Sequence, residues 1–368
     1  MARHHFTLAA LATSAVPGLE LAAAQPFSGG GTGAFDAALL TSATGDHLVV
    51  RVPLGPTAAR TAAAEARALA ALTPGTRHRL PFEAPALRGM LPGANGLPAA
   101  FVTTYVPGQR VRPANVRPGG SFAASLGAAI AAVHGLPTAV VLDAGLPVAS
   151  AAEARAAVGT LVDRAEATAR VPALLLDRWR SALGDAALWR FQPTVTHGAL
   201  AAEALLSTSR GTPSEALAGV LHWADLAVGD PARDLAWALS LGDAAETVLA
   251  GYAAGRRGRV DTDLHRRALL HAELEVVRWL LHGVDERRQD VVADADGLLR
   301  NLLHAVEQRT AASLAHRAAP VLSVGEVERM LDDQRDLVLA HTGPVRTAQA
   351  STAPLTTLDH RSRSSRSE

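Results

Sequence analysis

The 368-residue sequence contains no cysteine and no lysine. Without cysteine there is no disulfide framework, no thiol nucleophile and no thiolate-based zinc or iron–sulfur site, a composition that suits a reducing cytoplasm. Without lysine there is neither the phosphate-gripping ammonium of a Walker A loop nor an amine able to form a Schiff base. Charge of one sign is not in excess either: 35 basic side chains, all arginine, balance 35 carboxylates to a formal net charge of zero. Nucleic-acid binders usually show a basic surplus, so no nucleic-acid partner is expected. No apolar run approaches the roughly 18 residues of a membrane span, so no membrane partner is expected. The Gly-x-Ser-x-Gly elbow, the His-Glu-x-x-His helix and a Gly-x-Gly-x-x-Gly turn after a strand are all missing. The 14 histidines show no ligand spacing and read mostly as helix-surface residues.

What remains is a chain with 48% hydrophobic residues, mostly Ala, Leu and Val, of a length that favours one large domain or two lobes. The N-terminal "MARHHFTLAALATSAVPGLE" has some features of a secretory signal. Pro17 and Glu20 interrupt it, however, and Leu8, Leu11, Val16 and Leu19 fit a short amphipathic helix. A glycine cluster in "FSGGGTGAFDAALL" precedes two β-rich runs joined at Thr44-Gly45-Asp46, a hairpin signature. "AARTAAAEARALAALTPG" predicts a strong helix with a Pro-Gly stop, and "LPAAFVTTYVPGQRV" a strand ending at Pro107-Gly108. These elements imply a small α+β lobe over residues 1–107. Residues 108–342 then read as a mainly helical lobe, with helices over 122–134, 151–169, 173–183, 234–249 and a long stretch 263–314. A short hairpin sits among them, formed by Ala204-Leu205-Leu206 and 217–221. Residues 343–368 are polar, Ser/Arg-rich and aperiodic, and are expected to be a disordered tail.

Seven landmarks occur in order: the glycines Gly29, Gly30, Gly31 and Gly33; "VVRVP" with Arg51; "EARAL" with Glu65; "YVPG" with Tyr105; "AAVHGLP" with His134; "HGALAAEALL" from His197; and "GVLHWADLAVGDPARDLAW". In this order and spacing the chain resembles the aminoglycoside and macrolide phosphotransferases, a branch of the protein-kinase-like fold, from about residue 6 to 340. The resemblance implies an α+β, two-lobed fold. Its small N-terminal lobe has an antiparallel sheet plus a helix, and its C-terminal lobe is larger and mostly helical. It also implies that the glycine turn lets backbone N–H groups approach phosphates. Arg51 takes the place of the phosphate-holding cation that pairs with Glu65. Tyr105 marks the hinge where a purine of ATP or GTP is held.

The departures from the family pattern are as informative. The family's catalytic loop reads His-Gly-Asp, four residues, then Asn. Here His197 and Gly198 are followed by Ala199 at the Asp position and Ala204 at the Asn position. The later metal-binding Asp falls on His222. Losing a general base costs on the order of 10²- to 10⁴-fold, and magnesium needs oxygen ligands that alanine and imidazole do not supply. The expected function is therefore a catalytically inactive pseudokinase whose cleft retains nucleotide or small-molecule binding, with magnesium doubtful as a cofactor. One alternative is an active antibiotic or sugar O-phosphotransferase in which Glu203 or Asp225 acts from a displaced position. Another is a protein-partner module with a vestigial cleft. Asp230 is expected to start a turn before Pro231. Asp234 is expected to cap the next helix and, by the resemblance, to bond back to the catalytic-loop backbone. Trp223 and Trp237 read as core.

Overall fold

The computed structural model describes residues 3–27, 33–93, 96–212, 214–256 and 261–311. The glycines at 29–31 and the segment 343–368 lie outside the described residues.

Five strands, β1 (Leu21–Pro26), β2 (Phe35–Ser42), β3 (His47–Pro53), β4 (Leu87–Pro92) and β5 (Pro98–Thr104), form one antiparallel sheet in the order β1-β2-β3-β5-β4. β2 alternates half-buried and buried side chains strictly, the period-2 signature of a strand with one face on a core. Its turn to β3 is made at Gly45, whose φ of 88° an L side chain rarely adopts. Helix α1 (His5–Ala15) places Leu8 and Ala12 against Leu40, Val50 and Val102 of the sheet. It closes at Ala15, so Val16 and Leu19 of the expected amphipathic stripe lie past its end. α2 (Pro56–Ala71) begins with proline at its first position, where the missing N–H costs nothing, and is alanine-rich throughout. β1 and β4 are additions to the expected elements.

The rest of the chain carries α3 (Pro74–Arg77), α4 (Ser121–His134), α5 (Ala139–Leu142), α6 (Ala151–Ala167), α7 (Ala173–Gly184), α8 (Ala244–Gly255), α9 (Leu264–Asp285) and α10 (Gln289–Ala311). Two small antiparallel sheets are set among them. One has the order β6-β8-β9, from Gln109–Arg110, Leu205–Thr208 and Ala216–Val220, and the other pairs β7 (Thr194–Thr196) with β10 (Ala227–Gly229). The hairpin expected from Ala204-Leu205-Leu206 and 217–221 is β8–β9. The architecture is α+β and two-lobed, with a small antiparallel-sheet lobe and a larger, mostly helical one.

Several expectations are refined or corrected. The helix expected over 234–249 is a 3-10 run, Pro231–Leu241, followed by α8, and the break falls at Gly242 with φ 59°. The long helical stretch expected over 263–314 consists, within the described residues, of two helices, α9 and α10, separated where Arg287 takes φ 56°. Asp234 does not cap: the cap of the 3-10 run is Asp230, whose side chain accepts from the Ala232 N–H at 2.9 Å. α4 and α8 cross so closely that a Cβ on Gly127 would lie 1.9 Å from the Val248 carbonyl oxygen, and one on Gly251 would lie 2.2 Å from that of Ala124.

Candidate functional site

β3 and α2 bring Arg51 and Glu65 together, with Nη2 of Arg51 2.8 Å from Oε1 of Glu65. In the sheet register Arg51 stands opposite Phe101, and its guanidinium lies 4.3 Å over that ring and 5.6 Å from the ring of Phe35. Glu65 is buried. Burial alone pushes its carboxyl up, but the charge and hydrogen bond of Arg51 outweigh that and hold it below the usual carboxylate range. This is not a surface ion pair but a stacked, desolvated one, and the stacking uses the planarity that distinguishes arginine from lysine.

The loop 197–204 leaves β7 at Thr196. Gly198 has φ 83°, and a Cβ there would lie 2.3 Å from the carbonyl oxygen of Asp225, so both conformation and space require glycine. Buried Asp234 holds the loop from below: its two oxygens accept the backbone N–H groups of His197 at 2.7 Å and Gly198 at 2.8 Å. Nε2 of His134 lies 3.1 Å from the same carboxylate, and its Nδ1 lies 3.0 Å from the Tyr252 hydroxyl on α8. Burial pushes the Asp234 carboxyl up, and these donors more than reverse it, keeping it ionised below the usual range. His197 is itself fully buried, with Nε2 2.8 Å from the Leu221 carbonyl. A carbonyl takes only a donor, so Nε2 bears the hydrogen and Nδ1 a lone pair. Burial lowers the His197 pKa and keeps the ring neutral. Asp230, meanwhile, is bound by Arg267 and His271 at 3.0 and 3.1 Å.

The three positions to which the resemblance assigns the loop's chemistry carry no side-chain oxygen. Ala199 presents an exposed methyl group. Ala204 is buried, with its N–H on the Ala201 carbonyl and its carbonyl taken by the Leu221 N–H. His222 adopts the left-handed conformation, φ 64° and ψ 51°, and is half-buried. Burial lowers its pKa to about 4; Glu65 pulls the other way, and Arg51, Arg110 and His197 add repulsion. At neutral pH the group is therefore an uncharged imidazole. Among the described residues no three His, Asp or Glu side chains are grouped so as to hold a metal ion. Two methyl groups and a neutral imidazole do not fit magnesium.

The Glu203 carbonyl accepts from the Arg110 guanidinium, and Asp225 is an exposed residue ending the 3-10 turn Trp223–Asp225, packed against Gly198. Tyr105 donates its N–H to the His47 carbonyl at 2.9 Å and meets the rings of Phe27 and His47 edge-on. Gly33, with φ 70°, leads into β2.

The phosphotransferase enzyme family model matches residues 24–270. This chain belongs to that family. Among solved structures it is similar to a macrolide 2'-phosphotransferase type I, 26% identical over 80% of this chain and 95% of that one, with a TM-score of 0.61. It is also similar to the apoenzyme of a macrolide 2'-phosphotransferase from Brachybacterium faecium (24% identity, 80% and 98% coverage, TM-score 0.64). A third similar structure is the GDP and kanamycin complex of APH(2")-IIia (22% identity, 85% and 100% coverage, TM-score 0.65). A search of curated proteins gave no match. The Arg51–Glu65 pair and the Asp234 bonds to the loop are formed, and positions 199, 204 and 222 carry no side-chain oxygen. Sequence reasoning passed over Arg110 and Phe101, which lie on strands and belong to no motif. It also read the histidines mostly as helix-surface residues, whereas His134, His197 and His271 are buried and bonded.

Proposed function

We propose that this phosphotransferase-family protein is a pseudokinase that retains a cleft for a nucleotide or small molecule and does not transfer phosphate. The observation that carries the reading is the trio Ala199, Ala204 and His222, none of which offers a side-chain oxygen. Transfer by this fold is positioning plus electrostatic stabilisation of the moving phosphoryl group, and that stabilisation is what the lost donors supplied. The survival of Arg51–Glu65 and of the Asp234 anchor supports a conserved cleft shape. Similarity to a macrolide phosphotransferase and to an aminoglycoside phosphotransferase that binds GDP and kanamycin supports ATP or GTP and an antibiotic-like or sugar-like molecule as the ligand classes.

A second reading has one observation in its favour: Asp225 packs directly against Gly198, beside Ala199. In that reading Asp225 accepts the proton of an acceptor hydroxyl. Assays of ATP and GTP against a panel of aminoglycosides, macrolides and amino sugars decide between the two. The pseudokinase reading expects no phosphorylated product above the enzyme-free rate. Product that vanishes in Asp225→Asn or Glu203→Gln establishes the active one.

A further inference from the structure

Arg77, the last residue of α3, donates to four backbone carbonyls at once. Its Nε reaches the Leu72 carbonyl at 2.5 Å and its Nη2 that of Leu69 at 2.8 Å. Both lie where α2 ends, and the last carbonyls of a helix have no partner within it. Nη1 donates instead to the Ala84 carbonyl at 2.7 Å and to that of Pro85. One planar fork thus joins the end of α2 to residues 84–85. Among the described residues no carboxylate pairs with Arg77, and burial pushes its pKa down. Its guanidinium serves main chain alone.

The segment on the far side of the fork is itself fixed. Glu83 gives its N–H to the Ala218 carbonyl and accepts from the Val220 N–H, each at 2.9 Å, a parallel bridge onto β9. Ala86 gives its N–H to the Thr104 hydroxyl of β5 at 2.8 Å, and Phe82 stacks on Trp223 with ring centroids 6.3 Å apart. α2, by contrast, buries mainly alanines, among them Ala58, Ala62, Ala66 and Ala68, whose methyl groups supply little apolar area to hold a helix in place. Glu65 lies one turn before Leu69 on that helix. A pivot of α2 that carries Glu65 away from Arg51 therefore has to break the bonds of Arg77. We propose that Arg77 is a positioning residue for the Arg51–Glu65 pair, locking the end of α2 to residues 82–86 and so keeping Glu65 against Arg51. The inference rests on the proposed function only in taking that pair as part of the cleft. The lock itself is tested without ligand, whether or not phosphate is transferred.

The test uses the full chain. Arg77→Met keeps an unbranched side chain and removes the donors. It is expected to speed amide hydrogen exchange in α2 and at Glu83 and Val220 by about tenfold or more, and to leave α9 unchanged. The Glu65 carboxyl, followed by its carbon-13 resonance through a pH titration, is expected to move up, because burial then outweighs a cation no longer held beside it. Arg77→Lys keeps the charge without the fork and is expected to behave as Arg77→Met does. An unchanged Glu65 titration in Arg77→Met, exchange that speeds equally in every element, or full rescue by lysine overturns the proposal. If Arg77→Met does not fold, exchange in the unaltered chain decides: the last turn of α2 is expected to open together with Glu83 and Val220, and independent opening overturns the lock.

Discussion

Arg51 is held by three partners at once, the Glu65 carboxylate and the rings of Phe101 and Phe35. A lysine there keeps the charge and loses the flat face, so Arg51→Lys is expected to destabilise the protein by about 0.5–2 kcal/mol in denaturant titrations. His222 sets a pH dependence. Its folded pKa of about 4 lies below the ordinary 6.5, so between those values the unfolded chain binds more protons than the folded one. Stability is therefore full above about pH 6.5 and is lost as the pH falls towards 4, by at most about 3 kcal/mol. Glu65, whose carboxyl is also depressed, adds loss in the same direction at lower pH. Tm measured from pH 7 to 4 is expected to fall, and His222→Asn to flatten the profile, with His197 supplying a residual slope. At this scale the sequence announced Arg51, Glu65 and Asp234 through their motif places. It was silent on Phe101, because a strand partner is chosen by register and no local pattern reports register.

Among elements, the α4–α8 crossing is the tightest test of packing. Gly127→Ala drives a methyl group into the Val248 carbonyl and is expected to cost about 1–3 kcal/mol or more. Gly159, inside α6, has nothing within 4 Å of the corresponding position. Gly159→Ala is therefore expected to stabilise by about 0.5–1 kcal/mol through reduced chain entropy. Thermal unfolding of the two variants reads opposite signs from one substitution. Helix interiors were legible because alanine and leucine carry the propensity. The breaks at Gly242 and Arg287 were not, since arginine gives no stop signal and a single glycine inside an apolar pattern is tolerated as often as it terminates. β1 and β4, short and rich in alanine, glycine and proline, have little of the β-branched composition that marks a strand.

Across the whole molecule, the order of landmarks conveyed the two-lobed fold and the family more clearly than any element alone did. Sequence shows which side chains are missing from the loop. The structure adds that His222 sits within the electrostatic reach of Glu65, Arg51 and Arg110 and that Asp225 packs against Gly198. The proposed function stands on the side chains at 199, 204 and 222, which offer no oxygen to a divalent ion. Calorimetric titration of ATP and GTP into the full chain, once with magnesium and once with a chelator, tests it most directly. The account predicts the same affinity, or the same absence of binding, in both conditions. An affinity raised tenfold or more by magnesium, abolished by the chelator, contradicts it.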